Sequence, residues 1–416
     1  MIEFRAEKTT WMKTRPVLLK LAFFSFVFGG SFYLFYNQAF HENLYISDLP
    51  GHLEYSRFLE AHPLSVPHPL FHAIVLITCW LSGLGIKYSA AVALSGITTS
   101  LAAIIYWILK SCLGEVTVTR HRAHHAEAWK PAEPIREAYT DAELLFVCLL
   151  MMIVGSIFIP GPVQNMYLGQ GSPNVWHSAT LIAVKPLAFL AVFLLVDEDS
   201  GPKNSKRYLL VLIITLVSIL AKPSFIFIFL PALWVFALVK GRLAQRQFLI
   251  FLIVLSAASA LMVTLQFLSV YYGTSVYSGE NAKVVVDFLG VWSIYTRSVP
   301  VSIVFGLAFP LCVALANPKR VYENDSLLLC WLMTFFGILI AATLAEAGRR
   351  YHHANFMWSY RISQQLIFVF SMVEFLRWQK EAPRNFWFWL IAGVLALHIV
   401  SGMVYIGRIW SGGLYY

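Results

Sequence analysis

The chain has 416 residues, 58% of them hydrophobic and only 13% charged, with a mean hydropathy of +0.67 and a formal net charge of +9. Apolar runs of roughly 17–25 residues recur along it, the pattern of a polytopic α-helical membrane protein and not of a soluble enzyme or a β-barrel, whose strands would alternate every two residues. The basic excess lies mostly in short connectors, where it sets topology, so nucleic acid is not an expected partner.

Arg5, Lys8, Lys13, Arg15 and Lys20 accompany the first apolar run, 17–36, which has no small-residue cleavage site. It is predicted to be a retained first helix with a cytoplasmic N-terminus. Residues 37–68 carry Glu42, Asp48, Glu54 and Glu60 against a single Arg57, and form an outer loop. Within it, 49–61 is predicted to be a short helix on the membrane surface, with Asp48 at its N-cap position and Pro63, Pro67 and Pro69 turning the chain back.

The apolar stretch 69–109 fits two spans hinged near Gly83 and Gly85, and 110–142 is a basic loop with His121, His124 and His125 interleaved. Two spans would put that loop outside, whereas its charge wants it inside. Either one segment there is re-entrant or interfacial, or the loop breaks the charge rule. Further spans are predicted at 143–160, 178–196, 207–221, 225–239, 248–270, 299–316, 327–346, 359–376 and 386–406. The expectation is an all-α transmembrane bundle of eleven or twelve spans, one integral membrane domain over 1–416. Its five cysteines, all in or beside apolar runs, are expected as free thiols.

Ionisable groups on the outer side or within spans are where a site is sought, because they are costly at membrane depth. Asp48 and His52 share a helix face at i, i+4; the carboxylate suits a general base with the histidine orienting it, or it merely caps its helix. Asn174, Trp176 and His177 sit at a span entrance and suit sugar recognition, followed by Lys185 inside the span. Lys222 breaks an apolar stretch, and the segment around Glu346 holds Arg349, Arg350, His352, His353, Trp358 and Tyr360, an outer cluster able to grip phosphate, with Arg297 as a further contributor. His68 and His72 have i, i+4 spacing but read as a packed pair. No P-loop, GxGxxG or GxSxG motif is present.

With these residues the chain resembles the GT-C superfamily of polytopic glycosyltransferases. The segments Asn174 to His177, Lys222-Pro223-Ser224-Phe225 and 352–360 also look like those of bacterial membrane proteins associated with surface polysaccharide synthesis. The resemblance implies a catalytic acid in the first outer loop, here Asp48, surface-lying helices in that loop, and Lys222, Arg349 and Arg350 on a polyprenyl-phosphate donor. The paired DxD-type acids are reduced to Asp48, so metal use is left open, and no other cofactor is called for. The implied activity is sugar transfer at the outer face of a bacterial plasma membrane to a saccharide, lipid or protein acceptor. A polysaccharide polymerase or ligase using a lipid pyrophosphate is the neighbouring alternative; a secondary transporter, which Lys185 would favour, and a noncatalytic assembly partner are the others. Assigning catalysis to Asp48 rests on its convergence with residues from much later in the chain, and the most informative observation is whether Asp48, Asn174, His177, Lys222 and Arg349 face one outward cavity.

Overall fold

The computed structural model describes residues 3–62, 66, 68–114, 139–159, 161, 165, 169–196, 205–272, 283–381 and 384–413, with side chains from residue 16. The histidine-bearing part of the basic 110–142 loop, Pro63 and Pro67 lie outside the described residues. In chain order the helices are α1 (Glu3–Phe40), α2 (Leu49–Ala61), α3 (Pro69–Ser82), α4 (Ile86–Leu113), α5 (Asp141–Ile153), α6 (Ala179–Val196), α7 (Ser205–Ala221) and α8 (Ser224–Val239). They continue with α9 (Arg246–Tyr272), α10 (Gly290–Tyr295), α11 (Val299–Gly306), α12 (Ala308–Ala316), α13 (Pro318–Glu323), α14 (Asp325–Thr343), α15 (Met357–Glu381) and α16 (Phe386–Trp410).

Among the described residues six helices are long and apolar enough to cross a membrane: α1 from Pro16, α4, α6, α9, α14 and α16. A seventh crossing results if α11 and α12, bent by 68°, are one broken span. The chain is thus a nearly all-α, multi-pass membrane protein, but with fewer full-length apolar helices than the eleven or twelve spans expected. Several predicted spans form shorter helices. α3 has 14 residues, about 21 Å at 1.5 Å per residue, against a hydrocarbon core of about 30 Å. α5 stops at Ile153, and α7 and α8 have 17 and 16 residues.

α15 is long enough but too polar to pass as a span, and it occupies the interior: every residue from Met357 to Leu376 is buried. Several of its polar side chains have partners, while the hydroxyls of Ser359, Tyr360 and Ser371 find none among the described residues. Gln364 donates to the Gly171 and Gly306 carbonyls at 3.1 and 3.3 Å, Gln365 to Asn174 Oδ1 at 2.7 Å, and Glu374 accepts from Arg320 at 2.8 Å. The inner core holds an irregular segment, 169–178, and non-helical backbone is tolerated at such depth only where protein satisfies it. Trp292 Nε1 donates to the Gly169 carbonyl at 2.8 Å, Lys185 Nζ to that of Pro173 at 2.9 Å, and Gln38 to that of Trp176 at 2.9 Å. Gly171 adopts φ +84°, and a Cβ there would run into the Arg361 guanidinium, so the turn requires glycine.

Among the described residues the strands form one two-stranded antiparallel ribbon, β1 (Lys283–Val286) with β2 (Leu344–Ala347), which sets Val284 opposite Glu346. β1 is the run Lys-Val-Val-Val, whose β-branched side chains favour extended backbone. The ribbon carries the chain from α14 into a 3₁₀ turn, Gly348–His353, and then to α15.

Candidate active site

A cavity of about 800 Å³ lies where five helices begin. The first turns of α2, α3, α6, α8 and α15 contribute His52, His72, Thr180, Ser224 and Trp358, while α9 supplies a wall from Val263 to Tyr271. Helix N-termini expose unpaired amides and the positive end of the peptide dipole. Five of them around one space, with Lys222 and Arg350 added, make it a receptor for negative charge.

Asp48 is the protein's own anion in that space. Its side chain is 39% accessible, an exposure directed into the cavity it lines. It stands at the N-cap position of α2 but makes no side-chain capping bond there. It caps a different helix: Oδ1 accepts the Ala179 amide at the start of α6 at 3.1 Å, and the Asp48 amide donates to the His177 carbonyl at 3.1 Å. Oδ2 faces His52 Nε2 at 3.4 Å. Burial pushes its acidity up, but His52, His177 and the Ala179 amide outweigh it and hold the carboxyl below the ordinary aspartate value. His177 is driven the other way, down to about 4, by burial against the pull of Asp48, so the neutral imidazole predominates at pH 7. Its Nδ1 lies 3.3 Å from the Tyr405 hydroxyl.

Lys222 follows α7 and leads through Pro223 into α8. Its ammonium donates to Thr180 Oγ1 at 3.1 Å and lies 5.3 Å from the centre of the Trp358 ring. Burial lowers its pKa to about 8, with Asp48 and Glu346 holding the charge on and Arg350 opposing it. His68, also on the wall, is lowered to about 3 by burial and by Lys222 and Arg350.

Glu346 of β2 organises the remaining cations. Buried at 7% exposure, it accepts from Tyr271 at 2.7 Å and from Asn355 Nδ2, and pairs with Arg350 at 3.4 Å. Tyr351 anchors the turn by donating to Asp287 at 2.6 Å, and Tyr295 by donating to the His352 carbonyl at 2.6 Å. His352 and His353 are exposed and line the cavity.

Of the residues singled out in the sequence, Asp48, His52, His177, Lys222, Glu346, Arg350, His352, His353 and Trp358 therefore meet in one place. Asn174, Trp176, Lys185, Arg297, Arg349 and Tyr360 do not line it. Asn174 is buried and donates to the Met151 and Val154 carbonyls at 3.0 and 2.8 Å, serving the irregular segment instead of a sugar. Lys185 does the same for Pro173, and Trp176 packs beside Leu34, Tyr405 and Ile409 of α1 and α16. Arg297 and Arg349 are exposed away from the cavity, and Tyr360 is enclosed in the core next to Trp292. His68 and His72, read as a packed pair, both line the cavity, although His72 is also packed, 3.1 Å from Ser56 Oγ. Thr180, Ser224 and Tyr271 were missed; only their position one turn from an entrance residue, or at the end of a span, signals them. Among the described residues no three His, Cys, Asp or Glu side chains group as metal ligands.

Comparison with known proteins finds no matching family model, no similar curated protein and no similar solved structure.

Proposed function

We propose that the chain is a membrane glycosyltransferase of the GT-C kind, moving a sugar from a polyprenyl-phosphate donor to an acceptor hydroxyl at the outer face of a bacterial plasma membrane. The observation that carries this is the meeting of Asp48, from the first loop, with Lys222 and Arg350, from far later in the chain, in one cavity with an apolar wall on α9. The isoprenoid would lie against Val263, Phe267 and Val270, and its phosphate toward the helix N-termini. As the acceptor oxygen bonds to the anomeric carbon, its proton passes to the Asp48 carboxylate. The carbon–phosphate oxygen bond breaks, and the electron pair leaves with a phosphate stabilised by Lys222 and Arg350.

In this reading the N-terminus lies in the cytoplasm. Because α3 is too short to span, one crossing between residues 69 and 113 returns the chain to the side where the basic 110–142 loop belongs. The test is transfer of a labelled sugar from lipid-linked donor by the purified protein in wild type and Asp48→Asn; equal rates would remove Asp48 as base.

A second reading, a polymerase or ligase with a lipid-pyrophosphate donor, draws on Arg350, His352 and His353 at the same cavity. It predicts that Arg350 and His353 are indispensable while Asp48 is not.

A further inference from the structure

Two of the helices that begin at the cavity, α6 and α8, are treated differently. α6 has its first amide taken by Asp48. α8, 16 residues long, has no side-chain cap, its N-cap residue being Pro223. The amides of Ser224, Phe225 and Ile226 precede its first backbone bond, from the Phe227 amide to the Pro223 carbonyl at 3.3 Å.

A second observation points to a ligand there. Ser224, the first residue of α8, is only 5% exposed, and it lines the cavity. Its hydroxyl makes no hydrogen bond among the described residues, and its oxygen opens onto the cavity. Beside it Lys222 presents an ammonium, and Arg350 lies close enough to influence that charge. A carboxylate of the chain completes α6; α8 lacks the corresponding anion.

We propose that the first turn of α8, with Ser224 Oγ and Lys222 Nζ, binds a phosphate group that acts as the missing cap of that helix. This rests on the transferase reading only for the identity of the phosphate's carrier; the anion site itself is independent of it. The phosphate oxygens accept from the first-turn amides and from the Ser224 hydroxyl, while Lys222 and Arg350 supply counter-charge.

Titration of the full-length protein in detergent with inorganic phosphate and with decyl phosphate, a monoester carrying an alkyl chain, tests this. Either probe should bind, and binding of decyl phosphate alone would identify an amphiphile as the carrier. Ser224→Ala should weaken binding roughly tenfold through loss of a bond to a charged group. Ser224→Asp should place a fixed carboxylate at the helix start, abolishing binding while leaving the thermal midpoint unchanged or higher. Should Ser224→Asp fail to fold, Ser224→Ala decides. Wild type that binds neither probe, or serine variants that bind like wild type, would overturn the site. Phosphate binding that follows Ser224 without sugar transfer would leave the site standing and remove the transferase. Asp48-dependent transfer with phosphate affinity indifferent to Ser224 would do the reverse.

Discussion

Oδ1 of Asp48 accepts the amide of Ala179, 131 residues further along the chain, and so fastens the loop after α1 to the start of α6. The carboxylate has two duties at once, capping a helix with one oxygen and presenting the other, beside His52, to a cavity. The two are separable. Asp48→Asn keeps an oxygen for the Ala179 amide and should fold with a near-native melting temperature while losing sugar transfer. Asp48→Ala should in addition cost about 1 kcal/mol of stability, the usual value of an N-cap. A calorimetric scan of the two variants beside a transfer assay separates the roles.

Arg349 and Arg350 are adjacent in sequence but only Arg350 reaches the cavity. Arg350→Ala should weaken affinity for a lipid-phosphate donor roughly ten- to hundredfold, the worth of a charge-assisted contact, and Arg349→Ala should leave it near wild type. Donor titrations check the pair, and equal losses would show that proximity to the mouth, not contact, governs.

Glu346 holds Arg350, Tyr271 and Asn355 together, and so connects the α9 wall to the cationic turn. Glu346→Gln removes the charge that Arg350 answers and should cost about 1–3 kcal/mol of stability. Its effect on transfer should fall on the KM for the donor, with partial rescue by Glu346→Asp. A loss confined to kcat would instead place Glu346 among the reacting groups.

Much of this site was legible in the sequence because charge is conspicuous in an apolar chain: Asp48, Lys222 and Arg350 stand out on the outer side of a charge-sorted topology. What could not be read was the interior. The sequence predicts one more span at 359–376, yet Gln364, Gln365 and Glu374 make α15 a polar axis bonded to its neighbours. Asn174 and Lys185 looked like ligand-binding groups because the sequence does not show that 169–178 leaves helical form and needs donors for its carbonyls. The eleven or twelve spans expected exceed the six full-length apolar helices among the described residues for a related reason, since an apolar run reveals that a segment avoids water but not whether it faces lipid or protein.

Those two interior residues give a contrasting prediction. Asn174→Ala deletes three hydrogen bonds made by one buried side chain, at roughly 1 kcal/mol each. Lys185→Met strands the Pro173 carbonyl. Both should lower the melting temperature and leave donor KM unchanged in the folded fraction. A shifted KM with an unshifted melting temperature would return either residue to the site.

Lys222 gives the pH dependence a direction. Its ammonium faces Thr180 and the Trp358 ring, with Asp48, Glu346 and Arg350 as the charges acting on it, and its pKa falls from 10.5 to about 8. Lowering a lysine's pKa means that the cation is present below about 8 and lost as pH rises through it. Asp48, held below its ordinary value, is ionised across the same range and contributes no change there. Donor affinity should therefore be flat from pH 6 to about 7.5 and decline on the alkaline side of 8. Lys222→Arg keeps a positive charge at any accessible pH, so its decline should disappear even if its affinity at neutral pH is lower. Superimposable pH profiles for wild type and Lys222→Arg would assign the alkaline limb to another group.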